Sequence, residues 1–392
     1  MSRLKLLSLL LCVSLLIGIV SVSTGGLAAS DPAPVKLYFW CGIPEIYGPQ
    51  QLMEAYTALN PHVTFEFVQL GWDDASDTRL VTALMGNDGV DVYMPTRNYI
   101  GKAEQGVALD LTAFLQENGF DLFKDMGDDA VTYQYQGKFH SIPLTRSSVY
   151  WFLNMDMFEE AGIPLPNDDW TVDEFVEIAK NLSKGTGADK VFGAYITANW
   201  GSYWRCLYEG FLDATDLYED DLKSCKFDDP IYLEALNLFI SMTTVDKSIP
   251  TFSESLAENY MPNQMLLTEK AAMVYSGTYV LRDVKNRDAY PHTFKLAFVM
   301  PPLDPRYDRA LYQAGLQDPV MVNPNTKNMA ESINFLKWLY TEGVQYFIPG
   351  GRMPASVSFP AEKVAELFVA GYEDLIDKDS FERVFGTNRN VT

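Results

Sequence analysis

The sequence predicts an α/β protein of two lobes, each a mostly parallel sheet flanked by helices, meeting over a groove. Three observations carry that expectation. From residue 35 onward strand-like and helix-like stretches alternate, the signature of a parallel sheet covered by helices. At 392 residues the chain is too long for one ordinary core. The stretch from Gly137 to Asn154 reads as a passage between two bodies. It alternates up to Leu144, continues through polar Thr145, Arg146, Ser147 and Ser148, and ends in the apolar run Val149-Tyr-Trp-Phe-Leu153, which has the character of a buried strand. Pro143 cannot donate to a sheet ladder, so a break, bulge or change of sheet is expected beside it.

In chain order, Val35-Lys-Leu-Tyr-Phe-Trp40 is a β-rich run that stops at Gly42 and Pro44, residues that mark a loop. A helical pattern follows through Leu52, Met53, Tyr56 and Leu59, closed by Asn60-Pro61. Val63 to Leu70 alternates as a second strand. Trp72-Asp-Asp74 then leads into a helix carrying Leu80, Val81, Leu84 and Met85, and Asn87-Asp-Gly89 turns the chain into a third strand, Val90 to Met94. In such sheets ligands sit at the carboxyl ends of the strands, which are Cys41 to Tyr47, Gly71 to Asp74 and Pro95 to Tyr99.

Beyond the passage, Thr171-Val-Asp-Glu174 is a capping box that starts a helix with Phe175, Val176, Ala179 and Leu182 on one face. Val191 to Ile196 follows as a strand, and Ala198 to Arg205 holds the densest aromatic cluster outside one. Tyr232 to Met242 reads as a helix, Ala271 to Tyr279 as a strand breaking at Ser276-Gly277, and Phe294 to Met300 as a strand ended by Pro301-Pro302. The helix Ala330 to Tyr340 and the loop Gly350-Gly-Arg-Met-Pro354 come last.

Arg3 and Lys5 precede an apolar run from Leu6 to Val22, and small residues follow up to Ser30. This is the order of a secretory leader over residues 1–30. Leu10 and Leu11, not small residues, precede Cys12, which argues against a lipid anchor there. Cys41, Cys206 and Cys225 remain after cleavage. A bond between Cys206 and Cys225 is one arrangement that an oxidising compartment allows, and spacing does not fix it.

Asp plus Glu is 52 against 30 for Lys plus Arg, a net charge of -22. Such a surface repels phosphate backbones, so nucleic acid is not an expected partner. The three histidines, His62, His140 and His292, are too widely spread for a H-E-x-x-H pair, and nothing matches G-x-S-x-G, a P-loop or paired C-x-x-C. Acidic pairs such as Asp73-Asp74 and Asp168-Asp169 offer two carboxylates for glycoside hydrolysis, but adjacent acids in loops are more often turns and caps. No cofactor and no metal is expected.

Aromatic residues are abundant: Trp 7, Tyr 22 and Phe 23. Most fill cores, but Trp40, Tyr47, Trp72, Tyr99, Trp200, Tyr203, Trp204 and Tyr279 stand beside polar residues near strand ends. A sugar ring has an apolar C–H face and a polar rim, so its site needs flat rings flanked by hydrogen-bonding side chains. Glu45, Asp74, Arg97, Asn98, Arg146, Gln317, Asp318 and Arg352 lie where they can supply that rim.

Several segments, in order, resemble the extracellular solute-binding proteins of ABC-type sugar importers, the family that includes maltose-binding protein. They are Leu37-Tyr-Phe-Trp40, Tyr56-Thr-Ala-Leu-Asn-Pro61, Gly137 to Pro143, Tyr150 to Asn154 with Met157 to Pro164, Asp169 to Phe175, Ala271 to Gly277, and Gly350 to Pro354. The resemblance spans residues 35 to about 355. It implies the two-lobe periplasmic-binding-protein fold, with residues 35–145 and 300–345 in one lobe and 146–299 and 346–392 in the other. It also implies a monomer that closes on a mono- or oligosaccharide outside the cytoplasmic membrane and delivers it to membrane-embedded ABC permease subunits.

Carried over by position, the resemblance puts Glu45 after the first strand, Arg97 and Asn98 after the third, Arg146 and Ser147 at the crossing, and Trp200, Trp204 and Tyr279 in the second lobe. With Trp40, Trp72, Asp74 and Arg352 these are the candidate ligand residues. Two features depart from the pattern. There is no convincing lipobox, and the chain stops at Asn388-Arg-Asn-Val-Thr392 where similar proteins continue into further helices, so either a truncated chain or an incompletely packed second lobe is expected. The alternatives are a secreted carbohydrate-active enzyme and a binding protein for a cationic or peptide-like solute.

Overall fold

The computed structural model describes residues 32–86, 89–197, 223–225, 230–303 and 314–387. Pro34–Thr392 form one compact unit; the expected leader, Trp200, Tyr203, Trp204 and Cys206 lie outside the described residues. The strands are β1 Val35–Cys41, β2 Val63–Gln69, β3 Val92–Met94, β4 Gln134–Tyr135, β5 Lys138–Phe139, β6 Ile142–Asn154, β7 Phe192–Ile196, β8 Ala271–Gly277, β9 Leu296–Val299, β10 Ala314–Val322 and β11 Met353–Pro354. The main path of pairing is β2-β1-β3-β10-β6-β8-β7, with β9 and β11 also on β6, while β4 and β5 pair with each other.

In the first lobe β1 is parallel to both β2 and β3, the arrangement expected from alternating strands and helices. β10 closes this sheet antiparallel to β3. Leu37, Phe39 and Cys41 point into one core with Phe335, Leu336 and Leu339, while Trp40 points into another with Leu80, Leu84 and Tyr93. Both faces of the sheet are therefore covered, as parallel sheets require. The second lobe repeats the plan: β7 is parallel to β8, Tyr150 and Phe152 enter the core that includes Phe298 and Phe381, and Trp151 and Leu153 enter the core that includes Phe175 and Phe239. Each large side chain so buried contributes about 1.5–3 kcal/mol against exposure.

The break expected at Pro143 does not occur. β6 runs continuously over its 13 residues, pairing with β10 and β11 up to Ser148 and with β8 and β9 from Val149 onward. Pro143 is second in the strand and opposite Pro319 of β10, so two residues without amide hydrogens face each other and no donor is left unpaired. The change of partners falls at the end of the polar run Thr145 to Ser148, where the crossing is expected.

The helix Val172–Leu182 shows how local sequence sets the packing. Thr171 Oγ1 accepts from the Glu174 amide at 3.2 Å, and the Glu174 carboxylate accepts from the Thr171 amide at 2.7 Å. Val172, Phe175, Ala179 and Leu182 are buried. A Cβ at Gly193 of β7 would lie 1.7 Å from the Ala179 carbonyl oxygen, so glycine there lets the helix rest directly on the strand. Thr171→Ala is expected to lower stability by about 1 kcal/mol, read as a shift of the urea midpoint without change of slope. Among the described residues no helix is long and apolar enough to cross a membrane.

Candidate functional site

Two groups of polar and aromatic side chains meet at the carboxyl ends of the first-lobe strands and at the crossing. In the first, the Arg97 guanidinium donates to the Asp74 carboxylate and to the Trp72 carbonyl. Thr96 Oγ1 donates to the Gly71 carbonyl at 3.0 Å, and the Gly71 amide donates to Ser76 Oγ at 3.1 Å, so the ends of β2 and β3 are tied together. The Ser76 amide and hydroxyl hold the neighbouring Asp73 carboxyl below its ordinary range. A Cβ at Gly42 would meet Thr96 Cγ2 at 2.3 Å and Trp72 Cζ2 at 3.8 Å, so that glycine brings the β1 loop against the same place. The Trp72 side chain is 58% exposed.

Asn98 adopts the left-handed conformation at φ 50°. Beneath it lies Lys102, 0% exposed, whose Nζ donates to Asp77 Oδ1 at 2.6 Å and to the Arg97 carbonyl at 3.3 Å. The charge of a buried lysine is tolerable only with such partners, and they also fix the loop that presents Arg97 and Asn98.

The second group sits at the crossing. Asp318 of β10 has φ 52° and accepts from Thr145 Oγ1 at 2.5 Å, with Arg352 Nε 3.2 Å from the same oxygen. Asp318 and Arg352 side chains are 7% and 10% exposed. Arg146 donates to the Met126 carbonyl at 2.6 Å and lies 3.7 Å from Asp129, while its buried Nε has no hydrogen-bond partner. On the second-lobe side, Ser276 Oγ donates to the Tyr279 hydroxyl at 3.2 Å, and a Cβ at Gly277 would lie 3.2 Å from the Tyr279 ring and 3.5 Å from Ser147 Oγ. Ser147 and Tyr279 are thus neighbours across the junction.

Cys41 and Tyr99 join the two groups. Cys41 Sγ lies 3.6 Å from Met94 Sδ and feels the charges of Asp318 and Arg352. Burial pushes this thiol up to about 12, so it is protonated and not a nucleophile at neutral pH. Tyr99 stacks on Tyr133 at 4.6 Å, and the Tyr133 hydroxyl donates to the Leu316 carbonyl at 2.5 Å. The histidines are engaged elsewhere: His62 with Glu331, His140 with the Ala108 carbonyl and His292 with the Tyr290 carbonyl. Among the described residues no cluster of His, Cys, Asp and Glu is arranged to hold a metal.

The structure brings together Trp72, Asp74, Arg97 and Asn98, and separately Arg146, Ser147, Tyr279 and Arg352. Trp40 is a correction: its ring is 9% exposed, its Nε1–H donates to the Gly89 carbonyl at 2.8 Å and the Arg79 guanidinium lies 5.3 Å from the ring centre. It packs under the sheet and has no face free for a ligand. Glu45 is exposed on the turn Glu45–Tyr47 and borders a surface hollow with Gln50, Glu54 and Thr64. One side of Tyr279 is taken by the Arg282 guanidinium, 5.7 Å from the ring centre. Thr145, Tyr133 and Lys102 join these groups without a sequence signal; a lysine in a short helix and a tyrosine in a turn carry no pattern that distinguishes them. Cys225 is exposed and has no disulfide partner among the described residues, and Cys206 lies outside them.

Known proteins share this fold. The profile of the bacterial extracellular solute-binding proteins matches residues 44–346. A binding protein of Brucella abortus (strain 2308) is 24% identical over 295 residues, which cover 74% of this chain and 68% of that protein. A sugar transporter from Rhizobium etli, in an open conformation, superposes with TM-score 0.69 at 23% identity, covering 90% of this chain and 87% of the other. Maltotriose binding protein of Thermus thermophilus, bound with maltotriose, gives TM-score 0.63 at 18% identity over 89% and 87% of the two chains. These structures share the two-lobe fold found here, and with a profile match over more than half its length, this chain belongs to the bacterial extracellular solute-binding protein family.

Proposed function

We propose that this protein is an extracytoplasmic receptor that captures a mono- or oligosaccharide between its lobes and delivers it to an ABC-type importer. The observation that carries this reading is the exposed Trp72 ring beside the Arg97–Asp74 pair, on a rim that continues through Tyr99 and the crossing to Ser147 and Tyr279 of the other lobe. A flat apolar surface flanked by planar charged groups suits the two characters of a pyranose. Contacts made in both lobes favour the closed form, and only that difference in affinity moves the hinge equilibrium. The sugars named for solved relatives, cycloalternan and maltotriose among them, agree with this class without choosing a member of it.

The test is a thermal-shift and calorimetric screen of the purified protein against mono- and oligosaccharides, with product analysis. Binding of one sugar at one per chain, with the sugar recovered unaltered, is expected, since a ligand that binds only the native state raises the melting temperature. A shortened sugar makes the protein an enzyme instead. A response to amines or peptides alone replaces the sugar with a cationic or peptide-like solute.

A further inference from the structure

Away from the Trp72 rim, a cavity of about 610 Å³ opens between the turn Glu45–Tyr47, the helix Leu281–Val284 and the segment around Gly350. Its lining holds Arg282 and Lys285, and the amides of Gln51 and Asn286, but no acidic side chain among the described residues. In a chain with 52 acids and 30 bases that lining runs against the composition. The Arg282 guanidinium is held between two rings, 5.0 Å from the centre of Tyr47 and 5.7 Å from that of Tyr279. Its Nε is buried without a hydrogen-bond partner.

The nearest carboxylate, Asp283, lies 3.8 Å from Arg282 Nε. It already accepts from Asn263 Nδ2 at 3.0 Å and from the Tyr47 hydroxyl. Burial raises its pKa above the ordinary value, while the Arg282 charge, Asn263 and Tyr47 oppose that rise. Lys285 donates one of its three N–H bonds to the Phe368 carbonyl and lies over the Phe368 ring, 4.0 Å from its centre. Among the described residues no carboxylate is within ion-pair distance of it. Burial pushes its ammonium down to about 8, a cost that a bound anion relieves.

We propose that this cavity is a second binding site, for a small oxyanion such as phosphate or a carboxylate, held by Arg282 and Lys285 with help from the Asn286 amide. Arg282 shares its one neighbouring carboxylate with Asn263 and Tyr47, Lys285 has no carboxylate within ion-pair distance among the described residues, and cations of this kind beside neutral donors suit an oxyanion. The alternative, that Arg282 only stacks on tyrosines and Lys285 only caps the helix Ala361–Val369 at its carboxyl end, leaves unexplained why a cavity in so acidic a chain is lined by two cations and no carboxylate among the described residues. The cavity joins Tyr47 and Gly350 to the helix that follows Tyr279, so an anion there would bias the relative position of the lobes whether or not a sugar is bound.

The experiment is isothermal titration of the full chain with sodium phosphate and, separately, sodium acetate, against sodium chloride at equal ionic strength and pH 7. Saturable binding of phosphate or acetate at one per chain, with Kd on the order of 1 mM or tighter, is expected. The two arms tell a phosphate from a carboxylate site. Arg282→Gln and Lys285→Gln should each weaken it at least tenfold. Heats that never saturate in the wild-type protein overturn the proposal. Equal affinity in both variants overturns it too, since it places the anion elsewhere. If one variant fails to fold, the other still places the anion, since Arg282 and Lys285 both line the cavity.

Discussion

Replacing Asp318 with Ala is expected to lower the free energy of unfolding by about 3–5 kcal/mol, the usual effect of removing one partner of a buried ion pair. Asp318 lies on β10 beside the polar stretch of β6, and its carboxylate meets both Thr145 Oγ1 and Arg352 Nε. Without it the guanidinium of Arg352 stays buried with no counter-charge, and alanine is also less tolerant than aspartate of the left-handed backbone at this position. Urea titration followed by tryptophan fluorescence measures the loss. The double variant Asp318→Ala, Arg352→Met should regain most of it, because the uncompensated charge goes with the arginine. A loss below about 1 kcal/mol in the single variant would mean that water reaches the pair and screens it.

Trp72→Ala is expected to weaken sugar binding about 10–100-fold, equivalent to about 1.4–2.8 kcal/mol, while leaving stability within about 0.5 kcal/mol. The two effects separate because the ring is 58% exposed: it has little packing to lose and a whole face to offer. Calorimetry with the best sugar from the screen gives the first quantity, and urea unfolding gives the second. Trp40 is the contrast, since its ring lies in the core with Leu80 and Tyr93 and its replacement acts on folding. If Trp72→Ala binds as the parent does, the stacking surface lies elsewhere on the rim.

What could be read from the sequence follows from which patterns survive burial. The three opening strands, the capping box at Thr171 and the polar residues at the crossing were legible because alternation, cap chemistry and turn residues are local. The nearness of Trp72, Asp74, Arg97 and Asn98 followed from the rule that ligand loops gather at strand carboxyl ends. Trp40 was misplaced because β1 is covered on both faces: when odd and even positions are both buried, alternation no longer marks which ring is free. A proline inside a ladder lacks a donor, which predicts a break, bulge or change of sheet beside Pro143; its position near the start of β6, opposite Pro319, removes the need for a break, and the change of partners comes after Ser148. Nothing local marks Lys102 as buried, since its partner Asp77 is 25 positions away. The left-handed backbone of Asp318 is equally silent.

The way β6 and β10 are shared has a further consequence. The first lobe's main core needs Leu37 and Leu144 together with Val320, Phe335 and Phe347, and one core of the second needs Tyr150 and Phe298 together with Phe368 and Phe385. Neither of these cores is a contiguous piece of chain, so the first waits on the ribosome for residues near Phe347 and the second for residues near Phe385. Long-range closure of this kind slows folding, and it leaves the nascent chain open and threadable for most of its synthesis.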